Sequence, residues 1–195
     1  MSGDGTGRDT GPGRPPAEPE PDAPDGRDLE VDRPAAGSPA AAVVHALAER
    51  GETLAVVESL TGGLLASALV DVAGASVVFR GGLVVYATEL KASLASVPAE
   101  LLTERGPVDP DVALAMAQGC RTRCAADWAL ATTGVAGPEP QGGKPVGRLY
   151  VAVAGPTGGR VRRLDLGGGR DAVRAASVTA ALRLLVTCLR ELPVA

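Results

Sequence analysis

The sequence predicts an α/β domain of three layers, α/β/α, built on a mixed, mostly parallel sheet. Short apolar runs of strand length alternate with longer segments of helical spacing, the pattern of a sheet covered on both faces. The runs are too apolar to have a wetted side, as strands buried on both sides require. Near the C-terminal end two strand-like segments follow one another across a glycine-rich turn, which adds an antiparallel pair.

The elements follow in order. Ser38 can cap a helix that has Pro39 at its first position, with helical spacing over residues 42–49 and a stop at Arg50-Gly51. Residues 54–57 read as a short buried strand closed by Glu58-Ser59. Thr61-Gly62-Gly63 then opens an apolar helix to about residue 72. Residues 81–86 are rich in β-formers, and Thr88 can cap the helix that holds Lys91. Helices follow near 98–105 and over 109–124, then a buried strand at 128–132. Residues 134–147 form a Gly/Pro loop too polar for the core. The strand pair spans 148–154 and 160–166, and a last helix spans 171–189.

Composition narrows the function. The chain has 195 residues, four of them aromatic, with 26 Gly and 16 Pro, which suits one domain plus a tail. Residues 1–38 hold seven Pro, seven Gly and a charge of −5, and are expected to be a disordered tail; an acidic docking arm is the functional alternative. The folded domain is expected over 39–195. A net charge of −4 disfavours nucleic acid as a partner. No run of about 18 apolar residues is seen, so no membrane span is expected. No basic-then-apolar leader is evident, and three Cys suggest a reducing compartment, so the expected location is cytoplasmic. His45 is the only histidine, which disfavours a His triad or a metal site, and no metal and no cofactor are expected. The three Cys and His45 read as structural. Of 19 basic residues only Lys91 and Lys144 are lysines, and only a lysine can become a neutral amine near physiological pH.

Three loops carry the candidate chemistry. In Glu58-Ser59-Leu60-Thr61-Gly62-Gly63, Ser59 lies at the C-terminal end of a strand, where α/β sheets form their crevice. It is a candidate nucleophile, or else Ser59 or Thr61 merely caps the helix. The second loop runs from Thr133-Gly134 through Gly142-Gly143-Lys144-Pro145. It departs from a Walker loop in spacing and has Pro145 where a magnesium-binding hydroxyl would stand. It is a binding loop or a structural turn. The third, Gly167-Gly168-Gly169-Arg170-Asp171, puts Arg170 and Arg174 one turn apart at a helix N-terminus, as a phosphate grip or a solvated basic face.

Read together, these stretches resemble the C-terminal domain of the CinA family, the nicotinamide-nucleotide amidohydrolase module. The resemblance rests on residues 57–63, Ala73-Gly74-Ala75-Ser76, residues 82–91, Gly106-Pro107-Val108, residues 133–138 with 143–147, and residues 169–174. It runs in order over roughly 40–192. Departures fall at Leu60, Arg148, Gly168 and the Glu139-Pro140-Gln141 insert.

The resemblance implies an amidohydrolase of linear amides. It implies hydrolysis of the carboxamide of nicotinamide mononucleotide to nicotinic acid mononucleotide and ammonia, on a small-molecule nucleotide and in a homo-oligomer. An amide needs a nucleophile, a base and an oxyanion site. Without a usable His, a Ser–Lys pair suits the residues present. Lys91 is the base and Ser59 or Ser76 the nucleophile, and the sequence does not choose between them. Tyr86 is expected to orient Lys91 or relay a proton. Thr61, Gly62, Thr133, Gly134 and Lys144 are expected to contact the substrate, and Arg170 with Arg174 its phosphate. The alternative is a catalytically weak nucleotide-binding regulatory module of the same family.

Overall fold

The computed structural model describes Met1 and residues 37–191. The expected disordered tail therefore lies, apart from Met1, Gly37 and Ser38, outside the described residues. Five strands form one sheet: β1 (Leu54–Glu58), β2 (Phe79–Val84), β3 (Trp128–Gly134), β4 (Arg148–Gly155) and β5 (Gly158–Asp165). Their order across the sheet is β2-β1-β3-β4-β5. The β2–β1 and β1–β3 pairs are parallel, while β3–β4 and β4–β5 are antiparallel. Only β4 is reversed, so the sheet is mixed and mostly parallel, as the sequence predicts.

Among the described residues six α-helices cover it: α1 (Pro39–Arg50), α2 (Leu64–Val70), α3 (Thr88–Ser93), α4 (Ala99–Arg105), α5 (Pro110–Arg123) and α6 (Arg170–Glu191). Ser38 caps α1 through its hydroxyl, which accepts from Ala41 N–H, and Gly51 ends it in a left-handed conformation. Strand alternation divides the core in two. Leu54, Val56, Trp128, Leu130, Val151 and Val153 face α1, α2 and α6. Ala55, Ala129, Ala131, Ala152 and Ala154 face α5. One face is thus filled by large side chains and the other is lined by alanine, which lets α5 lie close to the strands. That is how a domain with four aromatics still closes its core.

Three sequence expectations need correction. β2 covers Phe79–Val84, because pairing of Leu54 with Phe79 sets its start; Val85 and Tyr86 therefore follow the strand. Thr88 does not cap α3: Ala87 occupies the cap position and makes no side-chain bond. α6 is long and apolar enough over one 18-residue window to pass for a membrane span. Half of that window is buried in the domain, where α6 packs on β3, β4 and α1, the placement of a core helix.

Gly119 offers a test of how closely α5 packs on the segment that follows α3. In a helix interior Ala is favoured over Gly by about 1 kcal/mol. A Cβ here would collide with the Ala95 carbonyl and sit 3.2 Å from Ser96 Cβ. Gly119→Ala is expected to lower stability by about 1–3 kcal/mol, reversing the propensity gain, as read by urea denaturation.

Candidate active site

The parallel strands β1 and β3 end together, and their last residues begin the site. The chain turns at Glu58, whose side chain folds back onto the start of α2. One carboxylate oxygen accepts from Gly63 N–H and Leu65 N–H at 3.0 Å each, the other from Ala66 N–H at 2.8 Å. Glu58 is fully buried. These bonds satisfy the orphan donors of α2, so neither Ser59 nor Thr61 is needed as the cap. Thr61 instead shares a 2.7 Å hydrogen bond with Thr132, both buried.

Ser59 is 8% exposed, and its N–H donates to Thr132 O at 3.0 Å. Lys91, in α3, reaches it from the other side. Nζ lies 3.1 Å from Ser59 Oγ and donates to Val85 O at 2.9 Å. Val85 N–H in turn donates to Glu58 O at 2.8 Å. Lys91 is 1% exposed. Burial pushes its ammonium down from 10.5 to about 8, against the opposing pull of Glu89. An amine that can be neutral near physiological pH thus stands within hydrogen-bond distance of a serine hydroxyl.

Both side chains open into a cavity of about 140 Å³. Its walls come from the Ser59-Leu60 turn, Tyr86 and Thr88, Pro107 and Val108, and residues 133–137 of the second loop. Glu139, Gln141 and Arg170 stand at its rim. Val135 and Ala136 are buried, so the first part of the second loop is core, contrary to the expectation from its composition. Gly147 closes this loop: its N–H donates to Val135 O at 2.8 Å and its carbonyl accepts from Leu166 N–H at 3.0 Å. It has φ +85°, and a Cβ would collide with the Leu166 carbonyl, so only glycine fits.

Of the residues singled out in the sequence, Ser59, Lys91, Tyr86, Thr133, Gly134 and Arg170 line this cavity. Thr133 is fully buried and its hydroxyl donates to Pro107 O at 2.6 Å. Tyr86 is exposed at the mouth; its hydroxyl accepts from Arg170 at 3.0 Å rather than meeting Lys91. Arg170 also donates to Gly137 O at 2.6 Å.

Five residues lie elsewhere. Ser76 is exposed in a one-turn 3-10 helix, Ala75–Val77, and borders a separate hollow with Val70, Val72 and Phe79. Lys144 pairs with Gln141 through the backbone alone. Gly62 faces the Arg174 guanidinium, and Thr61 is buried beneath the turn. Arg174 donates to Leu60 O at 3.1 Å and Thr61 O at 2.9 Å. Glu58, Glu139 and Gln141 were not among the sequence candidates. A carboxylate at the end of a strand with a helix beginning six residues on is the signal that could have found Glu58. Among the described residues no group of three or more His, Cys, Asp or Glu could hold a metal. Cys120 and Cys188 are buried in the two core clusters, and His45 is exposed on α1.

Three layers with a buried Ser–Lys pair at the ends of the parallel strands define an α/β protein with a crevice at the carboxyl ends of its sheet. The chain belongs to the CinA family: residues 37–189 match the CinA C-terminal domain. A CinA-like protein of Frankia casuarinae is 52% identical over 151 residues, covering 77% of this chain and 35% of that protein. One from Geobacter sulfurreducens is 49% identical over 144 residues, covering 72% of this chain and 34% of that protein. The chain thus spans about a third of the length of the curated relatives it matches. The crystal structure of a competence-damaged protein (CinA) superfamily member from Klebsiella pneumoniae superposes with a TM-score of 0.77 at 32% identity, covering 79% of this chain and 97% of that one. The competence/damage inducible protein CihA from Agrobacterium tumefaciens gives 0.74 at 35% identity, covering 78% and 93%.

Glu58 generates a test. All three of its partners are donors, which only an acceptor-only carboxylate satisfies in full. Glu58→Gln turns an NH2 toward at least one of them and is expected to cost about 1–3 kcal/mol, measured by chemical denaturation.

Proposed function

We propose that this domain is an amidohydrolase that converts nicotinamide mononucleotide to nicotinic acid mononucleotide and ammonia, with Ser59 as nucleophile and Lys91 as general base. The observation that carries the reading is the 3.1 Å approach of Lys91 Nζ to Ser59 Oγ at the floor of the cavity. Family membership supports the substrate class.

The steps follow from the geometry. In the neutral amine, one N–H stays on Val85 O and the lone pair accepts the Ser59 hydroxyl proton. Oγ attacks the carboxamide carbon, and the C=O pair moves onto oxygen. The Lys91 ammonium then gives its proton to the departing nitrogen, so ammonia leaves and a Ser59 acyl ester remains. Water attacks this ester, Lys91 takes the water proton, and the returning proton restores the Ser59 hydroxyl as the acid leaves. Ser76 takes no part in this scheme, because it lies at another hollow. Arg170, with hydrogen-bonding capacity left at the rim, is assigned to the phosphate; Thr133 and Gly134 line the substrate wall. Lys144 is left without a role.

The same reading has the protein work without a cofactor, in the cytoplasm, as a homo-oligomer. Exposed Val70, Val77, Val84 and Tyr86, gathered around the edge strand β2, support the last of these.

The test is ammonia release from the mononucleotide. Ser59→Ala and Lys91→Met are each expected to lower kcat by about a thousandfold or more while the fold persists by circular dichroism. Unchanged turnover in either variant overturns the mechanism. Because the neutral amine is the active form, log(kcat/KM) should rise with unit slope below pH 8 and level off above it. A rate that falls as pH rises from 6 to 8 would contradict the assignment of Lys91 as base.

A further inference from the structure

Arg174 was expected at the phosphate, yet its guanidinium is spent on two backbone carbonyls of the nucleophile's own turn. Nε donates to Leu60 O and Nη2 to Thr61 O. Its nearest carboxylate, Asp171, is 3.8 Å away and almost fully exposed, so the pairing there is weak. Arg174 does not line the cavity, whereas Arg170 does.

Leu60, directly after Ser59, does line the cavity and is 4% exposed. Its carbonyl is held by Arg174, but its N–H donates to no group of the described chain. The same holds for Val108, Ala136 and Gly137, all buried and on the cavity wall. Buried N–H groups without an acceptor are rare, because each one costs free energy. Four line one cavity, and Leu60 is the one adjacent to the serine, the position from which a backbone N–H meets a developing oxyanion.

We propose that the Leu60 N–H is an oxyanion-hole donor of this site and that Arg174 is its positioning residue, fixing the Leu60–Thr61 peptides rather than binding substrate phosphate. This deepens the amidohydrolase reading and rests on it. As Ser59 Oγ bonds to the carboxamide carbon, the displaced electron pair comes to rest on the carbonyl oxygen, which the Leu60 N–H then receives. No proton moves to or from Arg174.

The experiment compares the full chain with Arg174→Lys and Arg174→Met on nicotinamide mononucleotide and on the matching nucleoside without phosphate. Each variant is expected to lose kcat by about 10- to 100-fold, by the same factor on both substrates, with KM within about twofold. A loss confined to the mononucleotide and carried by KM would make Arg174 a phosphate ligand and overturn the proposal. A thermal melt of each variant checks folding. A second readout is the rate at which a fluorophosphonate labels Ser59, since its phosphoryl oxygen would occupy the same hole. Labelling is expected to slow by a similar factor in both variants, and unchanged labelling overturns the positioning role. If the unaltered protein releases no ammonia from either compound, the substrate assignment fails, and the labelling comparison still decides the role of Arg174.

Discussion

The buried carboxylate of Glu58 is the constraint on which the site depends. By accepting three N–H groups at the start of α2, it ends β1 and starts the helix within a single turn. Its backbone carbonyl accepts from Val85, and the Val85 carbonyl accepts from Lys91. One residue thereby fixes the turn that carries the serine and the segment that anchors the amine. Because the helix is capped from behind, the serine hydroxyl is left free to meet Lys91. The division of labour is physical: a carboxylate can accept several donors at once, whereas a hydroxyl used as a cap would be lost to chemistry.

The amine imposes the opposite constraint. A lysine whose folded-state pKa is about 8, against 10.5 in water, makes the fold reluctant to bind a proton. The sign follows from proton counting: between pH 8 and 10.5 the unfolded chain holds more protons, so stability rises with pH across that window. Below pH 8 the whole penalty is present, on the order of 3 kcal/mol. The domain therefore carries a loss of stability at neutral pH together with an amine that can be neutral inside the crevice. The well-packed layers on either side of the sheet, large side chains on one face and alanines on the other, supply the stability that makes such a residue tolerable.

Much of the fold was legible because its signals are local. Ser38-Pro39 and Arg50-Gly51 bracket α1 by capping chemistry, and the uniformly apolar runs of β1 and β3 announce strands buried on both faces. The start of β2 was less legible, since pairing with β1 decides it and no local preference records that pairing. In the site, the scarcity of lysine pointed to Lys91, and position at a strand end pointed to Ser59. Ser76 could not be separated from Ser59 in sequence, because only the topology puts the two on different hollows. The two arginines of α6 looked equivalent, one turn apart on one face. Their difference lies in which backbone each meets: Arg170 reaches Gly137 and Arg174 reaches the serine turn.

The reversal of β4 has an outcome for how this family can vary. A loop that leads from a strand into a helix is tied to the sheet at one end only. The segment between β3 and β4 returns to the sheet at once, so both of its ends are held by ladder hydrogen bonds, with Gly147 locking the far end. Its middle, from Pro138 to Val146, is largely exposed. Insertions and exchanges can accumulate in that middle stretch, where Glu139 and Gln141 face the mouth, while the buried pair at the floor stays in register. The architecture thus separates a stretch at the mouth that can diverge from a buried pair whose register is held by the sheet.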